Sequence, residues 1–347
     1  MMGDGVTVEC GSRLHLGFTN LSPELGRCYG SIGVGLDLPR IVLTLRSADE
    51  LRVEADRVDQ VLLYVDRFAR HFQIDPHVHI TEEQRIPEHA GLGSGTRVAL
   101  ALGLGLSRLF ECSGDIAEIA RAMERGRRSS VGILTFASGG FVIDAGHRPG
   151  AEEPQRPTAV FHRPFPEDWR FVVCVPEWEE GLSGRAEEGV FRVLTPPRSV
   201  SERICCITQL ELLPALLEED IEVFGRALTE IDRGMGSFFA ETQGGQTAQT
   251  AGSRVIERML EVGAWGGGQS SWGPAVYGLV HADDAHHVER AVQGLLEELG
   301  LTGLVMVARG RNTGASVSPE TQSPHGAREA RSTLARPLHT ASPERPS

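Results

Sequence analysis

The sequence predicts a mixed α and β protein in two parts, with a phosphate-binding loop in the first part. Alternating apolar residues predict strands early in the chain, and apolar residues at helical spacing predict helices between them. A polar, proline-containing stretch at residues 146–157 separates this half from a strand–helix–strand unit at residues 276–308. With 347 residues, of which 40% are hydrophobic, the chain is long enough to bury a substantial core.

The first part is predicted to begin with strands and to continue with helices around a glycine-rich loop. The predicted strands are residues 6–10, 13–18, 41–46, 51–53, 78–81 and Phe141–Asp144. Residues 26–35 are rich in glycine and predict a binding loop. Apolar residues at helical spacing predict a helix over residues 58–72. Asp115 and Glu118 form a capping box for a further helix, which Gly126 is expected to end in a left-handed conformation.

The second part is predicted to alternate strands and helices. The predicted strands are residues 171–175, 276–280 and 304–308, and the predicted helices are residues 204–217, 221–228 and 285–299. From about residue 314 the chain has little to bury, and we expect a disordered tail. The resulting division is a first domain over residues 1–165, a second over residues 166–312 and a tail over residues 313–347.

Composition excludes several classes of function. The net charge of −13 argues against a general nucleic-acid binder, and no apolar run is long enough for a transmembrane helix. The 6 cysteines include no Cys-x-x-Cys spacing, so neither a zinc site nor a disulfide framework is indicated, and we expect a cytoplasmic protein. All 34 residues in the Lys and Arg total are arginine, which excludes Schiff-base chemistry and a lysine general base.

The strongest local signal is the segment Pro-Glu-His-Ala-Gly-Leu-Gly-Ser-Gly-Thr at residues 87–96. It opens onto an apolar helix predicted over residues 98–110. Backbone N–H groups at such a helix start bind phosphate, and hydroxyl and arginine side chains add donors and charge. The alternative is a helix start with flexible glycines and no ligand. The phosphate-binding residues predicted here are Gly91, Gly93, Ser94, Gly95, Thr96 and Arg97.

Three segments in this order resemble the GHMP kinase superfamily: residues 13–35, the loop at residues 87–96 and a glycine-rich segment at residues 266–278. The resemblance covers residues 6–310 and implies an α+β fold. Its first half resembles domain 2 of ribosomal protein S5, and its second half is ferredoxin-like. The kinases carry a catalytic aspartate and a catalytic lysine. Neither has a counterpart here, because residues 127–136 contain no acid and the chain contains no lysine.

Longer strings are similar to one non-kinase branch, the β-ribofuranosylaminobenzene 5′-phosphate synthases. They are Arg-Leu-His-Leu-Gly-Phe-Thr-Asn-Leu at residues 13–21, Tyr-Gly-Ser-Ile-Gly-Val at residues 29–34, Gly-Ile-Leu-Thr-Phe-Ala-Ser-Gly-Gly-Phe-Val-Ile-Asp at residues 132–144 and Gly-Gln-Ser-Ser-Trp-Gly-Pro at residues 268–274. That family joins 4-aminobenzoate to phosphoribosyl pyrophosphate in methanopterin biosynthesis and releases carbon dioxide and pyrophosphate. The resemblance implies a phosphoribosyltransferase for 4-aminobenzoate or 4-hydroxybenzoate, which the sequence does not distinguish. An ATP-dependent kinase and a non-catalytic ligand-binding homologue are the alternatives.

The resemblance also implies that the charge of the leaving pyrophosphate is neutralised. By analogy with the kinases, Glu124 and Ser94 are candidate ligands of a Mg²⁺ cofactor. The alternative for Glu124 is a solvated helix residue paired with Arg121 or Arg128. Arg127 and Arg128 lie in the matched segment and are candidates to clamp the 5-phosphate of the ribose, with a solvated charge cluster as the alternative. Solvated charge is the interpretation we prefer for Arg121 and Arg125.

Arg13, His15 and Asp144 are the candidate catalytic residues. Arg13 lies among apolar and small residues, where an arginine is costly to bury without an anion; the alternative is a pair with Asp37. His15 is a candidate donor to a phosphate or to the benzoate, although a lone strand histidine is more often structural. Asp144 ends a strand, where it can bind magnesium or hold an arginine.

The late glycine-rich segment supplies candidates for binding the aromatic substrate. Trp272 can stack on the benzoate ring, with Ser270 and Ser271 as hydrogen-bond donors; the alternative for Trp272 is a core aromatic residue. We expect small-molecule substrates, no nucleic-acid or membrane partner, and a homodimer, although the sequence itself does not fix the oligomeric state.

Overall fold

The computed structural model describes residues 5–21, 23–150, 155–177, 197–242, 251–271 and 273–320. The strands are β1 (Gly5–Asn20), β2 (Gly30–Ser47), β3 (Arg52–Glu54), β4 (Val78–Gln84), β5 (Phe141–Asp144), β6 (Ala159–Arg163), β7 (Trp169–Pro176), β8 (Gly266–Gln269), β9 (Val276–His281), β10 (Gly303–Arg309) and β11 (Ser316–Pro319). The helices are α1 (Val58–Phe72), α2 (Ser94–Leu109), α3 (Ile116–Ala122), α4 (Val131–Ser138), α5 (Arg198–Ile207), α6 (Leu213–Glu218), α7 (Ile221–Thr242), α8 (Ala251–Glu261) and α9 (Ala285–Glu298). A 3-10 turn at Pro23–Leu25 and a π-helical turn at Thr208–Leu212 complete the described elements.

The strands form two sheets, which confirms the α+β fold class. The first is a 7-stranded sheet in the order β11-β1-β2-β4-β3, with β5 paired to β2 and β6 paired to β5. The second is a 4-stranded antiparallel sheet in the order β10-β7-β9-β8. The chain passes from the first sheet to the second between β6 and β7.

One hydrophobic core joins the two sheets. Leu14 and Ile32 of the first sheet belong to the same buried cluster as Phe171 and Tyr277 of the second. Phe224 of α7 packs among aromatic rings from both sides of this junction, including that of Phe141 at 5.9 Å between ring centroids. The shared core therefore fixes the two halves of the chain against each other, so a site built from both halves has a rigid frame.

The first two strands are longer than the sequence predicted. Residues 6–10 and 13–18 form one continuous strand, β1, and the expected binding loop at residues 26–35 is wrong for its second half, where residues 30–35 lie in β2. A Cβ on Gly33 would lie 2.7 Å from the Leu14 carbonyl oxygen and would also meet Val131. Glycine is used at this position for the close packing of α4 on the sheet rather than for a flexible loop.

A further strand lies in the segment that was expected to be disordered. Val317 in β11 pairs opposite Val8 of β1, and the N–H of Glu320 donates to the Gly5 carbonyl at 3.0 Å. Strand β1 would otherwise present an open edge, and β11 covers it. The rest of the predicted tail, residues 321–347, lies outside the described residues. Within the part of the chain that is described, none of the helices combines the length and apolar character needed to cross a membrane.

Candidate functional site

The glycine loop, strand β1 and the loop after β8 meet at one place. The Gly91 carbonyl accepts hydrogen bonds from the Arg13 guanidinium and from the Ser270 hydroxyl, the latter at 2.9 Å. The Ala275 N–H donates to the Ala90 carbonyl at 3.0 Å. Three motifs that are far apart in the sequence therefore form one continuous surface.

This close approach explains two of the glycines. Gly91 has a φ of +84°, and a Cβ there would lie 3.0 Å from the Gly273 Cα and nearer still to the Ser270 carbonyl oxygen. Gly93 has a φ of +82°, and its Cβ would lie 3.2 Å from the Arg13 Cγ. A side chain at either position would combine an unfavourable backbone conformation with a steric overlap.

Helix α2 begins beside this junction with unsatisfied donors. Its N-cap is Gly93, no side chain caps it, and its first turn contains no acidic residue. Ser94, Gly95 and Thr96 are half-buried, and among the described residues no hydrogen bond engages the Ser94 or Thr96 hydroxyl. The free N–H groups and the helix dipole make this turn suited to an anion.

Arg97 does not contribute to that turn, which corrects the prediction from sequence. Its side chain is 1% exposed and points inward. The guanidinium donates to the carbonyls of Ser12 and Gly132, both at 3.0 Å, and to the Thr135 hydroxyl at 2.8 Å. Burial lowers the pKa of Arg97 to about 10. The buried residue ties α2 to β1 and α4.

Arg13 binds the glycine loop rather than Asp37. Besides its bond to Gly91, its backbone N–H donates to the Leu92 carbonyl at 3.2 Å. The Asp37 carboxylate is instead held by Arg309, at 2.9 Å from Nε and 2.8 Å from the backbone N. Arg13 is half-buried and sets the position of the loop.

His15 is a buried neutral group. It is 3% exposed, and its ring lies 4.5 Å from that of Phe18. Burial and the nearby Arg13 charge lower its pKa to about 3, so the imidazole is uncharged at neutral pH and gives no positive charge to a phosphate. Its Nε2 has no hydrogen-bond partner within the described chain.

The late loop is positioned by Ser270, which is predicted to be a substrate donor. Its hydroxyl is fully buried, accepts from the His15 N–H at 3.0 Å and donates to Gly91, so both functions are used within the protein. Ser271 has a φ of +60° and its N–H donates to the His15 carbonyl at 3.3 Å. Trp272 lies outside the described residues.

Asp144, which is predicted to be a catalytic or magnesium-binding group, has both carboxylate oxygens engaged by backbone N–H groups. One carboxylate oxygen accepts from the Ser130 N–H at 2.5 Å and the other from the Gly146 N–H at 3.0 Å. Burial raises its pKa, while the two N–H groups act in the opposite direction. Asp144 anchors the turn that leads into α4.

The predicted magnesium ligand Glu124 lies in a surface ion-pair cluster. Its carboxylate is 3.0 Å from Arg67 and 3.3 Å from Arg127, which is itself largely exposed. Arg128 is half-buried on the turn before α4. Within the described ranges, no group of three or more His, Cys, Asp or Glu side chains is arranged to hold a metal ion. Glu124 is therefore engaged by two arginines in this structure.

Arg125 was assigned to solvated charge, but it lies at the start of α2. Its guanidinium stacks over the Tyr64 ring at 4.9 Å. A Cβ on Gly95 would lie 3.8 Å from its Nη2. The local sequence does not distinguish Arg125 from Arg121. The chain reversal after α3 turns Arg125 inward, and this reversal depends on a left-handed Glu124, with a φ of +54°, as well as on Gly126.

Asp232 is a second residue that the sequence analysis missed. It projects from α7 and accepts from the Gln269 N–H at 2.8 Å, while Thr229 accepts from the Gly267 N–H at 3.0 Å. These two side chains satisfy the N–H groups along the edge of β8 and hold the start of the late loop. Burial raises the pKa of Asp232 to about 6.

Comparison with known proteins agrees with this architecture. Residues 59–140 match the family model for the GHMP kinases N terminal domain, and residues 212–298 match the GHMP kinases C terminal model. A homoserine kinase from Cytophaga hutchinsonii has the same fold, with a TM-score of 0.66 and 17% identity over 92% of this chain and 98% of that one.

Two relatives carry the same specific name. A β-ribofuranosylphenol 5′-phosphate synthase from Methanothermobacter thermautotrophicus is 32% identical over 88% of this chain and 96% of its own length. One of the same name from Archaeoglobus fulgidus is 27% identical over 88% of this chain and 97% of its own length. The chain therefore belongs to the β-ribofuranosylphenol 5′-phosphate synthase family of enzymes, within the GHMP kinase superfamily.

Proposed function

We propose that the protein is a decarboxylating phosphoribosyltransferase of methanopterin biosynthesis. It joins C1 of phosphoribosyl pyrophosphate to the ring carbon that carries the carboxylate of 4-hydroxybenzoate or 4-aminobenzoate. The relatives' names specify a ribofuranosylphenol product, and only the hydroxylated acceptor gives a phenol directly. We therefore place 4-hydroxybenzoate first and 4-aminobenzoate second.

The reaction requires binding and positioning more than proton transfer. The bond between C1 and the diphosphate oxygen breaks, and its electron pair leaves on pyrophosphate. The ring carbon supplies the electron pair of the new C–C bond and leaves a cationic ring. The bond to the carboxylate then breaks, its electrons restore the aromatic ring, and carbon dioxide departs. Proximity and stabilisation of the leaving charge are the contributions that the protein must make.

One observation carries this proposal beyond family membership: an uncapped helix start lies at the junction of the glycine loop, β1 and the late loop. Ser94 and Thr96 offer hydroxyl and N–H donors there, and the turn contains no acidic residue. This arrangement supports binding of a diphosphate without supplying a base. Helix α4 packs directly on this turn, because a Cβ on Gly132 would lie 3.2 Å from the Thr96 Cγ2. Residues 127–136, which include the start of α4, contain no carboxylate either. Residues 127–136 therefore contain no counterpart of the catalytic aspartate of the kinases.

We also propose that activity depends on Mg²⁺ and that the protein is a homodimer. A dependence on Mg²⁺ would reflect metal carried in with the diphosphate of the donor, and activity with and without EDTA measures it. The homodimer is tested by light scattering of the purified chain.

The test is to identify the product. The purified full chain is incubated with phosphoribosyl pyrophosphate, magnesium and either acceptor, and the products are identified by mass spectrometry. We expect a ribofuranosylphenol 5′-phosphate from 4-hydroxybenzoate and the corresponding aminobenzene from 4-aminobenzoate, with the ratio of kcat/KM giving the preference. A parallel arm contains ATP and homoserine. Phosphohomoserine in that arm, with no ribosylated product in the others, would overturn the proposal in favour of a kinase.

A further inference from the structure

Arg125 is a half-buried cation without a counter-ion. Its Nε is inaccessible to solvent and has no hydrogen-bond partner among the described residues, and no described carboxylate forms an ion pair with it. Burial and the charge of Arg127 lower its pKa. Because partial burial of a guanidinium without a carboxylate partner is costly, an anion at this site would stabilise the arrangement.

The backbone aims Arg125 at this place. Helix α3 ends with Glu124 in the left-handed conformation, a position that glycine usually occupies. The Arg125 N–H then reaches back to the Ala120 carbonyl at 2.8 Å, and the Glu124 N–H to the Arg121 carbonyl at 3.0 Å. This turn directs the Arg125 side chain away from solvent and onto Tyr64. A non-glycine residue in this conformation is a source of strain that is typical of functional positions.

Two carboxylates line the same cavity as Arg125, and each is paired with another arginine. Arg125 lines a cavity of about 250 Å³ that also contains Asp115 and Glu118. Asp115 is paired with Arg156, and Glu118 lies 3.5 Å from Arg121. The cavity shows that Arg125 is reached from solvent on the α3 side, and both acids that line it already have arginine partners.

A second arginine that contacts Tyr64 provides a direct comparison. The Arg67 guanidinium lies 6.0 Å from the centroid of the same ring, but its charge is neutralised by Glu124 at 3.0 Å. Two arginines thus contact one aromatic side chain, and only Arg125 faces the start of α2. There its nitrogens lie 3.8 Å and 4.0 Å from the position of a Cβ on Gly95. Because Gly95 has no side chain, an anion can contact the guanidinium and the helix N–H groups together.

We propose that Arg125 is the cation that neutralises the diphosphate of the ribosyl donor, a role that the sequence analysis gave to magnesium held by Glu124 and Ser94. The diphosphate binds between the first-turn N–H groups of α2 and the Arg125 guanidinium, and the Ser94 and Thr96 hydroxyls complete its coordination. This inference rests on the proposed function for the identity of the donor. The anion site itself requires only a diphosphate.

Calorimetric titration with inorganic pyrophosphate, in buffer containing EDTA, tests the site without catalysis. Wild-type protein is expected to bind pyrophosphate without a divalent cation. Arg125→Gln is expected to weaken that binding by about 10- to 100-fold, the usual range for loss of a charge-assisted bidentate contact. Arg67→Gln is the matched control, because it removes the second guanidinium that contacts Tyr64; we expect less than about a threefold change for it, the effect of a surface ion pair. Equal affinities for the two variants would overturn the inference.

A second measurement uses the unmodified sequence and so does not depend on how the variants fold. Phenylglyoxal modifies accessible arginines, and mass spectrometry locates the labelled peptides. Pyrophosphate is expected to protect Arg125 from labelling and to leave Arg67 unprotected. No protection of Arg125 at saturating pyrophosphate would refute the site.

Failure of this inference is distinguishable from failure of the proposed function. If wild-type protein binds pyrophosphate through Arg125 but forms no ribosylated product, the anion site stands and the proposed reaction is wrong. If wild-type protein forms the product while Arg125→Gln retains its KM for phosphoribosyl pyrophosphate and its affinity for pyrophosphate, the reaction stands and the role of Arg125 is wrong.

Discussion

Replacing Gly91 with alanine should separate the three segments that form the site. The new Cβ would lie 3.0 Å from the Gly273 Cα and closer still to the Ser270 carbonyl oxygen, and both are backbone atoms that cannot rotate away. A left-handed alanine costs about 1–2 kcal/mol, and overpacking against fixed atoms adds about 1–3 kcal/mol. We therefore expect Gly91→Ala to lower the free energy of unfolding by about 2–5 kcal/mol, or to move the late loop and reduce pyrophosphate affinity.

Gly300→Ala is the control for this experiment. Gly300 has a φ of +64°, and a Cβ there would meet nothing within 4 Å, so this variant carries the backbone cost without the overlap. Urea unfolding of both variants gives the two free energies, and calorimetry with pyrophosphate gives their affinities. We expect a loss of about 1–2 kcal/mol and unchanged affinity for Gly300→Ala. Matching stability and affinity in the two variants would refute the close packing of the glycine loop on the late loop.

Two further predictions concern stability. Because the pKa of folded His15 is about 3, below its ordinary value of 6.5, the unfolded chain takes up the proton first as the pH falls. The contribution of His15 is therefore complete above about pH 6.5 and is lost towards pH 3, by up to about 1.4 kcal/mol per pH unit. His15→Phe should remove this part of the pH profile of the unfolding free energy, and parallel profiles for variant and wild type would contradict it. Ending the chain after residue 313 should destabilise the protein by exposing the edge of β1, whereas ending it after residue 320 should not; equal thermal midpoints would show that β11 contributes nothing.

The parts of the site that follow from local pattern were predicted from the sequence. The glycine loop that leads into α2 can be recognised from the sequence. Left-handed glycines and a helix start without a side-chain cap depend only on residues that are neighbours in the chain. The cap that begins α3 is equally local: Asp115 accepts from the Glu118 N–H at 2.9 Å, whereas the Glu118 carboxylate lies 3.5 Å from Arg121 and from His71.

The directions of the arginines did not follow from the sequence. Arg97 is adjacent to the loop in sequence, yet its partners Ser12 and Thr135 come from other elements and turn it into the core. Arg125 is distant in sequence and reaches the start of α2 because of the left-handed turn at Glu124. The glycine pattern therefore identifies the loop from the sequence. Which arginine faces the loop is decided by tertiary contacts, which the local pattern does not contain.

The most direct test of the central claim is release of carbon dioxide from carboxyl-labelled 4-hydroxybenzoate, measured together with pyrophosphate. We expect both products to form in equal amounts and only when phosphoribosyl pyrophosphate is present. Release of neither product by folded protein that binds pyrophosphate would contradict decarboxylating ribosyl transfer, and release of pyrophosphate alone would indicate hydrolysis of the donor instead.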